Sequence, residues 1–175
     1  MKGVRVRGVR ASVRLAVRTT ANGAAGPAAQ YGALPWRRRR GRSVEILLVT
    51  TRRSGRWIVP KGWPIGGCTP GECAAREAME EAGVLGVIAA EPIGTFPYEK
   101  QRKSGEALPC RVEVFPLQVT HQLRNWPEKS ARETRWCEID EALALAGDDG
   151  LRRVIARFAQ STDGARKNSR HRAAA

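Results

Sequence analysis

The stretch from Gly62 to Val84 constrains the chain most, because local chemistry defines a helix there at both ends. Thr69-Pro70-Gly71-Glu72 is a capping box. The N-cap hydroxyl accepts from a free amide, the carboxylate three residues on accepts from another, and proline fills the first helical position, where no N–H is missed. Gly83 follows as the residue that turns left-handed at little cost and stops the helix. The pattern predicts a helix over Thr69–Ala82. At about 100° per residue, Ala75, Ala78, Met79 and Ala82 share one arc and are expected to pack on a sheet. Glu77, Glu80 and Glu81 gather on the opposite face at i, i+3 and i+4. Such crowding is unfavourable alone: like charges at i, i+4 cost about 0.2–0.5 kcal/mol per pair, and acids in the last turn oppose the helix dipole. A hard divalent cation reverses both effects, since Mg²⁺ favours carboxylate and phosphate oxygens. A solvated acidic helix face is the competing reading.

The flanks read as strands. Gln30–Arg37 opens the series, with Pro35 marking an edge or bend. Val44–Thr51 is β-branched and apolar, so a buried strand is expected. Ser54-Gly55 turns into a short strand, Trp57-Ile58-Val59, which Pro60 ends. Gly62–Gly67 is a loop. Val84–Thr95 and Arg111–Thr120 read as further strands, joined by a basic hairpin loop over residues 100–105, and Trp136–Ile139 as a short one. Leu151, Val154, Ile155 and Phe158 recur at helical spacing and close the core with an amphipathic helix. The order is mixed strands with two helices.

The 175 residues suit one domain with tails, and 42% hydrophobic with 27% charged residues excludes disorder throughout. No run approaches the roughly 20 apolar residues of a membrane span. Cys68, Cys73, Cys110 and Cys137 form no C-x-x-C pair, which points to free thiols and a cytoplasmic location. Of the net charge of +14, residues 1–29 and 161–175 carry +9. Residues 1–29 hold six basic and no acidic side chains and read as a disordered arm, with an Arg-rich transit peptide as the alternative. Residues 161–175 read as a disordered basic tail. The domain is expected over 30–160.

Gly62 together with Arg76-Glu77-Ala78-Met79-Glu80-Glu81-Ala82-Gly83-Val84 resembles the Nudix box, whose pattern is Gly, five residues, Glu, seven residues, then Arg-Glu-apolar-x-Glu-Glu-x-Gly-apolar. Arg56–Gly62, Arg111–Phe115, Trp126-Pro127-Glu128 and Arg135-Trp136 look like the branch that cleaves diphosphoinositol polyphosphates and diadenosine polyphosphates. The departure is Cys68, which stands where the pattern has its first Glu.

The resemblance implies an α/β fold, the Nudix α/β/α sandwich with a mixed sheet between helices. It implies hydrolysis of a phosphoanhydride bond with Mg²⁺, or alternatively Mn²⁺. Glu77 and Glu81 match the family's metal ligands. Glu80 matches the position of the general base and in some members a ligand, and the Gly62 carbonyl is a further ligand candidate. Arg76 matches the residue that holds the carboxylates, so the catalytic set is Glu80, Arg76 and Glu77. A neutral thiol at Cys68 cannot pair with Arg76, and Glu72, four residues before Arg76, is the expected substitute.

A polyphosphate calls for arginine and lysine. The candidates are Arg52, Arg53, Arg56, Lys61, Lys100, Arg102, Lys103 and Arg111, and solvated surface charge is the plain reading of each. Trp57, Trp63, Trp126 and Trp136 are candidates for stacking a base, with core packing the plainer role. The expected partner is a small-molecule polyphosphate. The alternatives are an ADP-ribose or nucleotide-sugar pyrophosphatase, and a non-catalytic module binding RNA or another polyanion. The complete carboxylate set disfavours the latter. Oligomeric state is not legible.

Overall fold

In the computed structural model, which describes residues 26–38, 43–102 and 105–173, the chain runs β1 (Ala28–Arg38), β2 (Val44–Thr50), β3 (Trp57–Ile58), β4 (Lys61–Gly62), α1 (Pro70–Ala82), β5 (Val84–Ile88), β6 (Gly94–Gln101), β7 (Ala107–Gln122), β8 (Thr134–Glu138), α2 (Ile139–Leu145) and α3 (Asp149–Ala173). The sheet is mixed. Its backbone order is β3-β2-β1-β7-β5, with β4 on β1, β6 on β7 and β8 on β2. The central seam is parallel, Ala28–Trp36 against Cys110–Gln118, and the other named strand pairs are antiparallel.

Ile46, Leu47, Leu48 and Val49 are all fully buried. A strand without alternation is covered on both faces, and the helices supply the covers. α1 lies over β1, β4 and β5. On the opposite face, Phe158 of α3 meets Trp36 at 5.7 Å between ring centroids. Val154, Ile155 and Leu151 are buried with it, as their spacing predicted. The layers are helix, sheet, helix.

Several sequence expectations change. Pro35 is not at an edge, because β1 is central. Ala33 N–H donates to Pro60 O at 3.0 Å, and β1 next meets β2 at Trp36. Pro35 thus falls in the gap between two partners, where a missing N–H costs nothing. The single strand over Val84–Thr95 is two strands: β5 and β6 pair with successive stretches of the same edge of β7, separated by the Glu91-Pro92 bend. Lys100 and Gln101 belong to β6, so the hairpin loop is shorter than expected. There are three helices among the described residues, since Ile139–Leu145 forms α2. From Ser161 the chain does not leave the fold as a coil; α3 continues to Ala173. Residues 1–25 of the basic arm lie outside the described residues, and Ala28 and Ala29 already open β1.

Candidate active site

Both ends of α1 follow the sequence pattern. Thr69 Oγ1 accepts from Glu72 N–H at 3.3 Å, and Glu72 Oε2 accepts from Thr69 N–H at 2.7 Å. Gly83 takes φ +66°, a left-handed turn that glycine alone adopts freely, and its N–H donates to Met79 O at 3.1 Å. The faces of the helix differ from the wheel. Its buried side is Cys73, Ala74, Ala78 and Ala82, and Glu81 lies among them at 5% exposure. Ala75 and Met79 are only half-buried. The reason is β4: its two residues run along β1 beside the helix and cover the flank that carries Glu77 and Glu81.

That covering strand approaches closely. A Cβ on Gly62 would overlap the Glu77 carboxylate, so any other residue there forces that carboxylate to move. Glu81 Oε2 accepts from Lys61 N–H at 3.2 Å. Burial pushes the Glu81 carboxyl up to about 7, against the pull of Arg132. Burial and the Glu80 charge also raise Glu77. Glu80 Oε1 accepts from Arg76 Nε at 2.8 Å. The expected Glu72–Arg76 pair does not form, because the Glu72 carboxylate already accepts from Thr69 N–H and from its hydroxyl at 3.0 Å. Arg76 turns to Glu80 instead, and Cys68 stays an exposed free thiol.

A cleft of about 460 Å³ opens beside Glu81, lined by Arg52, Arg53, Arg56, Lys61, Lys100 and Arg132. Five of these were anticipated from sequence. Lys61 Nζ sits 3.8 Å from the Tyr98 ring centroid, and burial lowers its pKa to about 8. Lys100 Nζ lies 4.6 Å from the Trp63 ring. Arg102 does not line the cleft: its carbonyl accepts from Arg53 Nη1 at 3.2 Å, and its side chain reaches toward Glu106. Arg111 faces an adjoining cleft of about 640 Å³ that shares Arg56 and Tyr98. Lys103 lies outside the described residues. None of the four candidate tryptophans lines the cationic cleft; Tyr98 does. Trp136 carries Arg37, and Trp126 packs over Gly83.

Arg132 and Glu128 are the residues that sequence reasoning assigned no role. Arg132 Nη2 donates to Glu81 Oε1, Nε to Glu128 Oε2 at 2.7 Å, and Nη1 to Thr50 O at 2.8 Å. Burial pushes the Glu128 carboxyl up, but Arg132 and Arg52 outweigh it and hold it below the usual range. The resulting chain of charge is Arg52, Glu128, Arg132, Glu81. Only the Glu128–Arg132 link is close in sequence, and it spans a turn rather than a helix, so no periodic pattern signalled it.

Three carboxylates and the Gly62 carbonyl form the hard oxygen set that Mg²⁺ favours. Among the described residues, no three Asp, Glu, His or Cys side chains converge on one point. Glu80 accepts from Arg76, and Glu81 from Arg132. Glu77, Glu81 and the Gly62 carbonyl fit a divalent cation in donor type, and Glu81 joins that set once its bond to Arg132 opens.

The family model for the NUDIX domain matches residues 27–158. Nudix hydrolase 12, mitochondrial, of Arabidopsis thaliana is 35% identical over 118 residues, covering 66% of this chain and 58% of its own. Diphosphoinositol polyphosphate phosphohydrolase 3-beta of Homo sapiens is 35% identical over 107 residues, covering 59% and 61%. The chain thus spans about three fifths of the length of these curated relatives. A crystal structure of a C. elegans Ap4A hydrolase binary complex shares the fold, with TM-score 0.59 and 20% identity over 78% of this chain and 98% of that one. With its box on α1, its helix–sheet–helix layers and a domain match over most of its length, the chain belongs to the NUDIX family.

Proposed function

We propose that this chain hydrolyses a phosphoanhydride bond in a densely anionic small molecule, a diphosphoinositol polyphosphate or a dinucleoside polyphosphate, with Mg²⁺ or Mn²⁺. One observation carries the reading: six cationic side chains line a cleft that closes on buried Glu81, the one α1 carboxylate of the three that reaches it. A nucleotide sugar needs few such charges; a polyphosphate uses many. The relative that bears the diphosphoinositol name supports the same class.

Glu77, Glu81 and the Gly62 carbonyl would hold the cation, which when bound offsets phosphate charge and acidifies an attacking water. Arg76 fixes Glu80 by donating to Oε1. Oε2 is then the atom that takes the proton from that water. Lys61, Arg52, Arg53 and Arg56 bind and orient the phosphate oxygens. Tyr98 lies against Lys61, its ring centroid 3.8 Å from Nζ, and holds that ammonium in the cleft. The four free cysteines suit the reducing cytoplasm we assign to it.

The test is product analysis with Mg²⁺ on a diadenosine polyphosphate, a diphosphoinositol polyphosphate and ADP-ribose, each beside Glu80→Gln. We expect cleavage of one of the first two, reduced at least about 10²-fold in the variant. Exclusive cleavage of ADP-ribose moves the chain to the nucleotide-sugar class. Folded protein that cleaves none, with either cation, overturns the catalytic reading in favour of polyanion binding.

A further inference from the structure

The geometry points to Arg132 as a latch between cation and substrate: it holds Glu81 when no divalent cation is bound, and turns its Nη2 to a substrate phosphate when a cation takes that carboxylate. This inference rests on the metal-dependent reading above. Arg132 touches both partners of such an exchange through one side chain. Its Nη2 donates to Glu81 Oε1, and the same side chain lines the cationic cleft. Its other donors are anchored elsewhere, Nε on Glu128 at 2.7 Å and Nη1 on Thr50 O at 2.8 Å. Release of Glu81 therefore frees one edge of the guanidinium without dislodging the side chain. The charge accounting favours the exchange. With Glu81 bound to a cation, Arg132 shares only Glu128, and Glu128 is shared in turn with Arg52. The cleft then carries positive charge not matched by its own acids, next to where phosphate enters. The freed Nη2 gives that acceptor one charge-assisted bond. Cation and phosphate thus reinforce one another through one arginine, which is a coupling between two sites.

The test measures Mn²⁺ affinity by electron paramagnetic resonance in wild type, Arg132→Gln and Arg52→Gln. Arg132→Gln should bind Mn²⁺ about tenfold more tightly, within the range of coupled sites. Loss of packing alone does not tighten a metal site. Arg52→Gln removes a charge from the same cleft but pairs with Glu128, so it should change affinity less than about twofold. At saturating Mg²⁺, Arg132→Gln should bind imidodiphosphate about tenfold more weakly; without Mg²⁺ the two proteins should match. Equal tightening by both variants assigns the effect to overall cleft charge and overturns the latch. Unchanged or weaker Mn²⁺ binding by folded Arg132→Gln overturns it too, and leaves the metal-dependent reading intact if wild type binds. Binding by neither protein overturns both. If Arg132→Gln does not fold, ¹⁵N NMR of the wild-type Arg132 guanidinium decides: Mg²⁺ should shift it, and an unmoved resonance refutes the exchange.

Discussion

Replacing Gly62 with alanine separates the proposed site from the fold, because the added methyl meets the Glu77 carboxylate rather than the core. A Cβ there overlaps Glu77 Oε1 and Cδ and stands 2.7 Å from Oε2, against 3.4 Å or more for ordinary contact. Glu77 is the far end of a flexible side chain, so it yields where backbone would not. Gly62 is not among the residues with positive φ, and alanine accepts its backbone without strain. Removing a glycine also restricts the unfolded chain, worth about 0.4–1 kcal/mol in favour of folding. We therefore expect urea midpoints equal to or slightly above wild type with an unchanged slope. The carboxylate, in contrast, must retreat by an ångström or more. A misplacement of about 1 Å costs on the order of 10²-fold in rate. The assay pairs urea unfolding with kcat/KM on whichever polyphosphate the product analysis shows to be cleaved. Adding Glu77→Asp shortens the side chain by one methylene and should restore part of the loss. Activity of Gly62→Ala within about threefold of wild type, against the 10²-fold expectation, would refute the argument that this glycine exists to admit Glu77. So would a collapse of stability.

Gly83→Ala should do the opposite and damage the fold first. It places a Cβ at φ +66° and into the Trp126 indole, so the urea midpoint should fall by the equivalent of at least about 1–2 kcal/mol, and an unchanged midpoint would contradict the cap. Burial lowers Lys61 from 10.5 to about 8, so between those values the unfolded chain holds a proton that the folded chain has released. Stability contributed by this group is therefore smaller below pH 8 and rises from pH 8 toward 10.5, and Lys61→Met should flatten that slope in urea titrations. Cys68 is the exposed thiol, whereas Cys73, Cys110 and Cys137 are buried and burial pushes Cys137 up to about 11. A disulfide reagent should modify Cys68 rapidly in native protein and the other three only in denaturant; two fast thiols would contradict the packing.

Features governed by neighbours in sequence were the legible ones. Thr69, Glu72 and Gly83 cap α1 through bonds spanning a few residues, so their pattern alone gave the helix. The apolar repeat from Leu151 to Phe158 did the same for α3. What escaped depended on distant partners. Pro35 reads as an edge or bend because sequence cannot show that β1 changes partner there. Glu81 reads as lying on the face away from the sheet because the wheel knows nothing of β4. Glu72 was offered to Arg76 on spacing that was sound, but the capping box had the prior claim. Arg132 stayed silent because its partners Thr50 and Glu81 are 82 and 51 residues away.

The parallel seam between β1 and β7 sets how this domain must assemble. Ala28 pairs with Cys110 and Trp36 with Gln118, and nearly everything that forms the cleft lies in the chain between. Parallel pairing across such a separation closes a large loop before any contact repays its entropy. During synthesis the helix with its carboxylates can form early, yet Gly62 has no settled place beside Glu77 until β1 has its far partner. Folding should accordingly be slow for a chain of this size, and a fragment ending before Cys110 should keep helical signal while binding neither cation nor phosphate. Competence would arrive abruptly, with the last third of the chain.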